Sequence, residues 1–230
     1  MFTTPVVILG LADYYDRIEE TRRRLLPYYT TIDHHLGING HRYPDLLDER
    51  LTYWGANSNR GDFRPTQQGC TFNHLDTWMT LRSSTDEWVL IVEDDLTLPD
   101  NWATLYQQIL AEPPRTADLV FLGWELPAGS SVNLTDQAFI FLAPMCMHCY
   151  LVRVASIPKL LSAVRADKLD IILDVWIATR AEHYGIVCAC ANPRYFIATP
   201  CTDIRINRAD GIAYQDARLP STIDIKPSCH

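Results

Sequence analysis

The sequence is short of positive charge. Twenty Lys and Arg stand against 28 Asp and Glu, a formal net charge of −8 at pH 7. Gripping nucleic acid needs a basic face, so no nucleic-acid partner is expected. An anionic substrate held through a metal ion remains compatible with this balance. Long apolar runs are missing too: none approaches the roughly 20 residues of a membrane span. The opening residues MFTTPVVILGLADYYDR carry no positive leader and read as a strand. A secretory signal is therefore not expected, and a cytoplasmic location is. Internal repeats, low-complexity tracts and a clear linker are also absent.

Cysteine is present, but in a pattern that speaks against disulfides. Cys70, Cys146, Cys149, Cys188, Cys190, Cys201 and Cys229 are odd in number, and no export signal accompanies them. Cys146-Met147-His148-Cys149 has the look of half a zinc site. Cys188-Ala189-Cys190 does not repeat its spacing, and both pairs lie in apolar, strand-like runs where cysteine behaves as a small hydrophobe. Free thiols are the expectation. The sequon Asn133-Leu134-Thr135 carries little weight inside a cell.

What is there begins with an ordinary globular composition: 230 residues, 47% hydrophobic and 21% charged. That is enough chain to bury a substantial core. Strands alternate with helices, so one α/β domain is the simplest architecture. Its organising stretch is Val89-Leu90-Ile91-Val92-Glu93-Asp94-Asp95. A continuous apolar run suits a strand covered on both faces, and it leads straight into three carboxylates. In an open α/β sheet the carboxyl ends of strands are where ligands bind. Adjacent acids repel unless something positive sits among them, and hard oxygen ligands suit Mg²⁺ or Mn²⁺ beside a phosphorylated ligand. The plain alternative is a solvated acidic turn capping a helix near Asp100.

In chain order, Val6–Leu9 reads as a buried strand, 14–26 as a helix ending before Pro27, and 28–32 as a short second strand. This βαβ opening implies a parallel pair with a right-handed crossover. Arg22-Arg23-Arg24 reads as a solvated helix face. Residues 33–64 read as a long, polar, irregular loop whose His34, His35, His41, Arg42, Arg60 and Arg64 could close over a charged ligand. A helix is expected over 67–82, with Phe72, Leu75, Trp78 and Met79 near one face. Another is expected over 102–110, stopped by Pro113-Pro114. Strands follow at 119–123, 139–142 and 149–152, then a helix at 156–166. A last helix opens at 173–177 and runs to about 183, followed by a strand at 186–190. Residues 200–230 read as a C-terminal tail.

Several stretches, taken in order, resemble glycosyltransferase family 25, which includes lipooligosaccharide and collagen galactosyltransferases. Gly69-Cys70-Thr71-Phe72-Asn73-His74-Leu75-Asp76-Thr77-Trp78 is similar to its "GCxxSHxxxW" segment, with Asn73 in place of Ser. Val92-Glu93-Asp94-Asp95 looks like its "LEDD" segment. Ile38-Asn39-Gly40 stands where the family has an "A-x-D-G" turn, with Asn39 in place of Asp. Asp118 through Gly123, Tyr150 through Leu161, and Asp174-Val175-Trp176 are similar to later family segments, although Arg153 and Ile157 depart from the pattern. The resemblance spans roughly 5–205. It implies a single GT-A-like domain over 1–230 with a mostly parallel sheet flanked by helices. It also implies a UDP-sugar donor, commonly galactose or glucose, with Mn²⁺ or Mg²⁺ and inversion at the anomeric carbon. The acceptor would be a glycan or a glycosylated molecule. His74, Asn39 and Gly40 become donor-binding candidates through it.

Roles follow from what transfer requires. A divalent cation stabilises charge developing on the departing diphosphate. Asp95 is the expected direct metal ligand, Asp94 binds ribose or shares the metal, and Glu93 orients them. Strand neighbours point to opposite faces, so Asp94 and Asp95 are expected to divide the work. Asp203 is a further metal candidate from the tail. Inversion needs a base on the acceptor hydroxyl. Asp174, which opens a helix, is the first choice; Glu125 is the alternative, and Asp170 and Asp203 are weaker ones. Two other readings stand beside transfer: a non-catalytic nucleotide- or glycan-binding relative, and a metal-dependent phosphohydrolase.

Overall fold

In the computed structural model the described residues are 1–56, 63–98, 102–111, 114–125 and 138–192, with short strands at 199–200, 204–207 and 212–215. The strands are β1 (Val6–Leu11), β2 (Ile32–Gly37), β3 (Trp88–Glu93), β4 (Leu96–Thr97), β5 (Leu119–Glu125), β6 (Phe139–Ile140), β7 (Met145–Arg153), β8 (Cys188–Ala191), β9 (Thr199–Pro200), β10 (Ile204–Asn207) and β11 (Ile212–Gln215). The helices are α1 (Tyr15–Leu25), α2 (Pro44–Trp54), α3 (Pro65–Leu81), α4 (Trp102–Ala111), α5 (Ile157–Asp167) and α6 (Leu173–Arg180).

Seven strands form one mixed sheet in the order β2-β1-β3-β7-β5-β8-β6. β1 is parallel to β2 and β3, and β5 is parallel to β8. β7 runs antiparallel between β3 and β5, and β6 is antiparallel to β8. β1, β2, β3, β5 and β8 therefore point one way, and β6 and β7 the other. The carboxyl ends of β1 and β3 lie side by side, with Leu9 opposite Glu93.

The continuous apolar runs are what a two-sided sheet requires, because alternate residues feed two separate cores. Val7, Leu9, Val89 and Ile91 join Phe72, Leu75 and Trp78 of α3, Leu160 of α5 and Trp176 of α6. Val6, Ile8, Leu90 and Val92 join Ile18 and Leu25 of α1 and Trp102 and Tyr106 of α4. Each fully buried side chain of this size contributes about 1.5–3 kcal/mol. The same alternation decides the site: Glu93 follows Val89 and Ile91 toward α3.

Two expectations are corrected. Residues 33–64 are not one irregular loop. They hold β2 and α2, and 57–62 lie outside the described residues. Leu47, Leu51 and Trp54 of α2 are buried at four- and three-residue spacing, behind an otherwise polar sequence. The second strand is Ile32–Gly37 rather than 28–32. As an edge strand with exposed Asp33 and His34, it lacks the apolar run that marks a covered one. Tyr28 and Tyr29 belong to the turn after α1, where Tyr29 makes an isolated bridge with Phe2. Elsewhere β7 is longer than 149–152, β6 is shorter than 139–142, and β8 ends at Ala191. Most of the 200–230 tail lies outside the described residues. No helix among the described residues is long and apolar enough to cross a membrane.

Candidate functional site

A cleft of about 660 Å³ opens at the carboxyl ends of β1 and β3, between α1 and α3. That size lies within the range of small-molecule sites. Leu9 and Gly10 line it from β1, Arg17 from α1, Asn39 to Arg42 from the turn after β2, Cys70 and His74 from α3, and Glu93 and Asp94 from the end of β3.

The turn after β2 is held against α3 by close backbone contact. A Cβ built on Gly69 would lie 2.6 Å from the carbonyl oxygen of Ile38, and one on Gly40 would lie 2.1 Å from that of Pro65. Asn73 accepts a hydrogen bond from the Ile38 amide at 2.8 Å. Asn39 in turn accepts from the amides of His41 and Arg42 and donates to Asp13. Alanine in a helix normally gains about 1 kcal/mol over glycine. Gly69→Ala is instead expected to destabilise the protein by about 1–3 kcal/mol, because the added methyl has only backbone to displace. Chemical denaturation reads this sign directly.

The three acids part at Glu93. His74 Nε2 lies 3.3 Å from Glu93 Oε1, and Cys70 Sγ lies 3.7 Å from the same oxygen. The far side of the His74 ring meets the Tyr150 hydroxyl at 3.0 Å, which also accepts from Trp78 Nε1. Burial pushes the Glu93 carboxyl up, but the hydrogen bond and charge of His74, helped by His148, hold it below its ordinary value. Burial pushes the Cys70 thiol well up, and Glu93 and Asp174 add to that.

Asp94 and Asp95 do not diverge as strand neighbours would. β3 ends at Glu93, and both aspartates sit in the turn beyond it. Arg17 reaches them both, at 2.6 Å from Asp94 and 3.6 Å from Asp95. Thr21 anchors the turn by donating to the Asp94 carbonyl at 2.7 Å. Asp95 is 11% exposed, and its Oδ1 is buried without a hydrogen-bond partner among the described residues. Burial pushes Asp94 up to about 7; Arg17 opposes this, while Asp95 and Glu93 add to it. Burial, then the Glu93 charge, pushes Asp95 up to about 6 against the pull of Arg17. One guanidinium thus does not satisfy this acidic pair, and its oxygen-only donor set fits a hard divalent cation.

A pH dependence follows. Both aspartates have folded values above the roughly 3.9 of an unfolded Asp. The folded state therefore holds more protons between about pH 4 and 7, and stability falls as pH rises through that window. The two groups together are expected to remove a few kcal/mol, an order-of-magnitude figure, by pH 8 in metal-free buffer. Thermal melts of the wild type against Asp94→Asn from pH 5 to 8 test this. The variant is expected to gain relative stability as pH rises.

Asp174 is the second residue of α6. It accepts from the Val175 amide at 2.7 Å and the Cys146 amide at 3.3 Å. Burial pushes its carboxyl up, those two bonds pull it down, and Glu93 pushes it up again. This mutual influence places Asp174 near the Glu93–His74–Cys70 group, although it does not line the cleft. Thr71 of α3 ties the two helices by accepting from the Leu173 amide. Asp170 pairs with Arg180 on the far end of α6, with Asp167 beside it. Glu125 ends β5 opposite Met145, and its side chain lies outside the described residues, as does Asp203.

No protein-family model matches the chain, and no curated protein is significantly similar to it.

Arg17, Cys70 and Tyr150 are site residues to which the sequence alone assigns no role. Arg17 had a signal: it opens the helix after β1, and that end of a βα unit faces the ligand side of the sheet. Cys70 and His74 had one too, since residues four apart on a helix share a face. Tyr150 had none, because its position depends on β7 pairing with β3, Tyr150 opposite Ile91. Cys149, Cys188 and Cys190 are buried thiols, and none of the described cysteines forms a disulfide.

Proposed function

We propose that the protein is a metal-dependent inverting glycosyltransferase of GT-A type, similar to family 25, that moves a hexose from a UDP-sugar to an acceptor hydroxyl on a glycan. The observation that carries this reading is the Glu93-Asp94-Asp95 triplet at the carboxyl end of a central strand, with Glu93 and Asp94 opening onto a cleft of nucleotide size. Asp95 and Asp94 would hold the Mn²⁺ or Mg²⁺, whose charge supplies stabilisation to the departing diphosphate. Asp94 lines the cleft, and Asp95 lies directly behind it with an Oδ1 that has no side-chain hydrogen bond among the described residues, so such an ion would sit between the two.

The protein's own groups do the rest. Arg17 and Arg42 both line the cleft, ion-paired with Asp94 and Asp13 respectively, and would turn toward phosphate oxygens when a diphosphate enters. The turn of Ile38, Asn39 and Gly40, held rigid by its bonds to Asn73 and Asp13, lines the cleft where the nucleoside would lie. Asp174, whose carboxyl burial pushes up and which sits behind the cleft lining beside Glu93, would be the base that takes the acceptor proton. The test is calorimetric: UDP is titrated into the protein with and without Mn²⁺. Binding that requires Mn²⁺ and is lost in Asp95→Asn supports the reading. Absence of any nucleotide binding contradicts it.

A further inference from the structure

We propose that Cys70, His74 and Glu93 form a second cation site on the floor of the cleft, for a borderline-soft divalent ion of the zinc class. The ligand atoms Sγ, a ring nitrogen and a carboxylate oxygen all lie within 4.8 Å of one another. Zinc held at its usual distances by a tetrahedral set keeps its ligands about 3.3–3.8 Å apart. The separations of 3.3 Å from His74 Nε2 to Glu93 Oε1 and 3.7 Å from Cys70 Sγ to Glu93 Oε1 already match that spacing.

Three further features fit the same ion. Cys70 and His74 stand four residues apart on α3, so one rigid helix face presents both. A metal-bound imidazole usually donates its other N–H to an outer partner, and the Tyr150 hydroxyl is 3.0 Å from His74 Nδ1. Tyr150 is itself fixed by Trp78, which leaves that oxygen able to accept from both. All three ligands line the cleft, so a fourth ligand can come from solvent or a bound molecule, as in open zinc sites. A thiol and an imidazole select for zinc-like ions, whereas the oxygen-only pair of Asp94 and Asp95 selects for Mg²⁺ or Mn²⁺. Binding exchanges the thiol proton for the metal and releases it to solvent.

This inference does not depend on the glycosyltransferase reading. The test titrates the full chain with Co²⁺, a spectroscopic stand-in for zinc, and then displaces it with Zn²⁺. The expected result is one equivalent bound, with a thiolate-to-cobalt charge-transfer band and the intense visible bands of a tetrahedral site. Cys70→Ser is expected to abolish the thiolate band and to weaken Zn²⁺ binding more than about 100-fold, beyond the cost of losing an outer-shell partner. Asp95→Asn is expected to keep the band while losing the Mn²⁺ response, and Cys146→Ser to keep both. Circular dichroism checks folding, and Cys70→Ala replaces Cys70→Ser if the latter does not fold. A wild-type protein without a thiolate band at stoichiometric Co²⁺ overturns the proposal, as does a band that survives in a folded Cys70 variant.

Discussion

Asp174→Asn is expected to lower the rate of sugar transfer by about 10²–10⁴-fold, the contribution of a positioned general base. The substitution keeps shape and removes the ability to take a proton. Asp174 opens α6 with one oxygen on the Val175 amide at 2.7 Å, and an asparagine carbonyl can keep that bond. The longer bond from the Cys146 amide, at 3.3 Å, would meet an NH₂ group instead. Its loss costs about 1 kcal/mol of stability, which a melt separates from catalysis. Binding of UDP and Mn²⁺ is expected to change far less than the rate, since Asp174 touches neither Asp94 nor Asp95 directly and its effect on them passes through Glu93. An unchanged rate in a folded variant would reduce Asp174 to a helix cap.

Asp95→Asn is expected to cut Mn²⁺-dependent turnover by about 10²–10³-fold, the scale for losing one element of charge stabilisation in a preorganised site. Asp95 is 11% exposed and has one buried oxygen without a partner among the described residues, while Arg17 lies 3.6 Å from the other. A carboxylate kept in that state is costly unless an ion completes it. The amide removes half a metal site but leaves Arg17 its closer contact with Asp94, at 2.6 Å. The fold should therefore persist and the metal response should not. Saturating Mn²⁺ that restored full activity would contradict the assignment.

Much of the frame was legible because burial on both faces writes itself as continuous apolar sequence. Val6–Leu9, Val89–Val92 and Leu119–Leu122 are strands for that reason, and each is nearly inaccessible to solvent. α3 was legible from the spacing of Phe72, Leu75 and Trp78. β2 and α2 were not. An edge strand pairs on one side and keeps polar residues on its exposed face. α2 sets three buried residues among Asp45, Asp48, Glu49 and Arg50.

The site was legible as composition but not as geometry. Three acids at a strand end were plain. Their division was not, because alternation stops where β3 stops. Glu93 continues the pleat toward α3, and the turn then brings Asp94 and Asp95 together around Arg17. The contacts of Gly69 and Gly40 across the α3–turn interface explain why small residues stand there. No local rule in either segment announces that the two segments touch.

The most direct test of the central claim is release of UDP from a panel of UDP-hexoses, measured with and without Mn²⁺. Slow hydrolysis of at least one donor is expected in the absence of acceptor, dependent on Mn²⁺ or Mg²⁺ and lost in Asp95→Asn. No turnover and no nucleotide binding with any donor, or release of inorganic phosphate from simple esters without sugar preference, would contradict it.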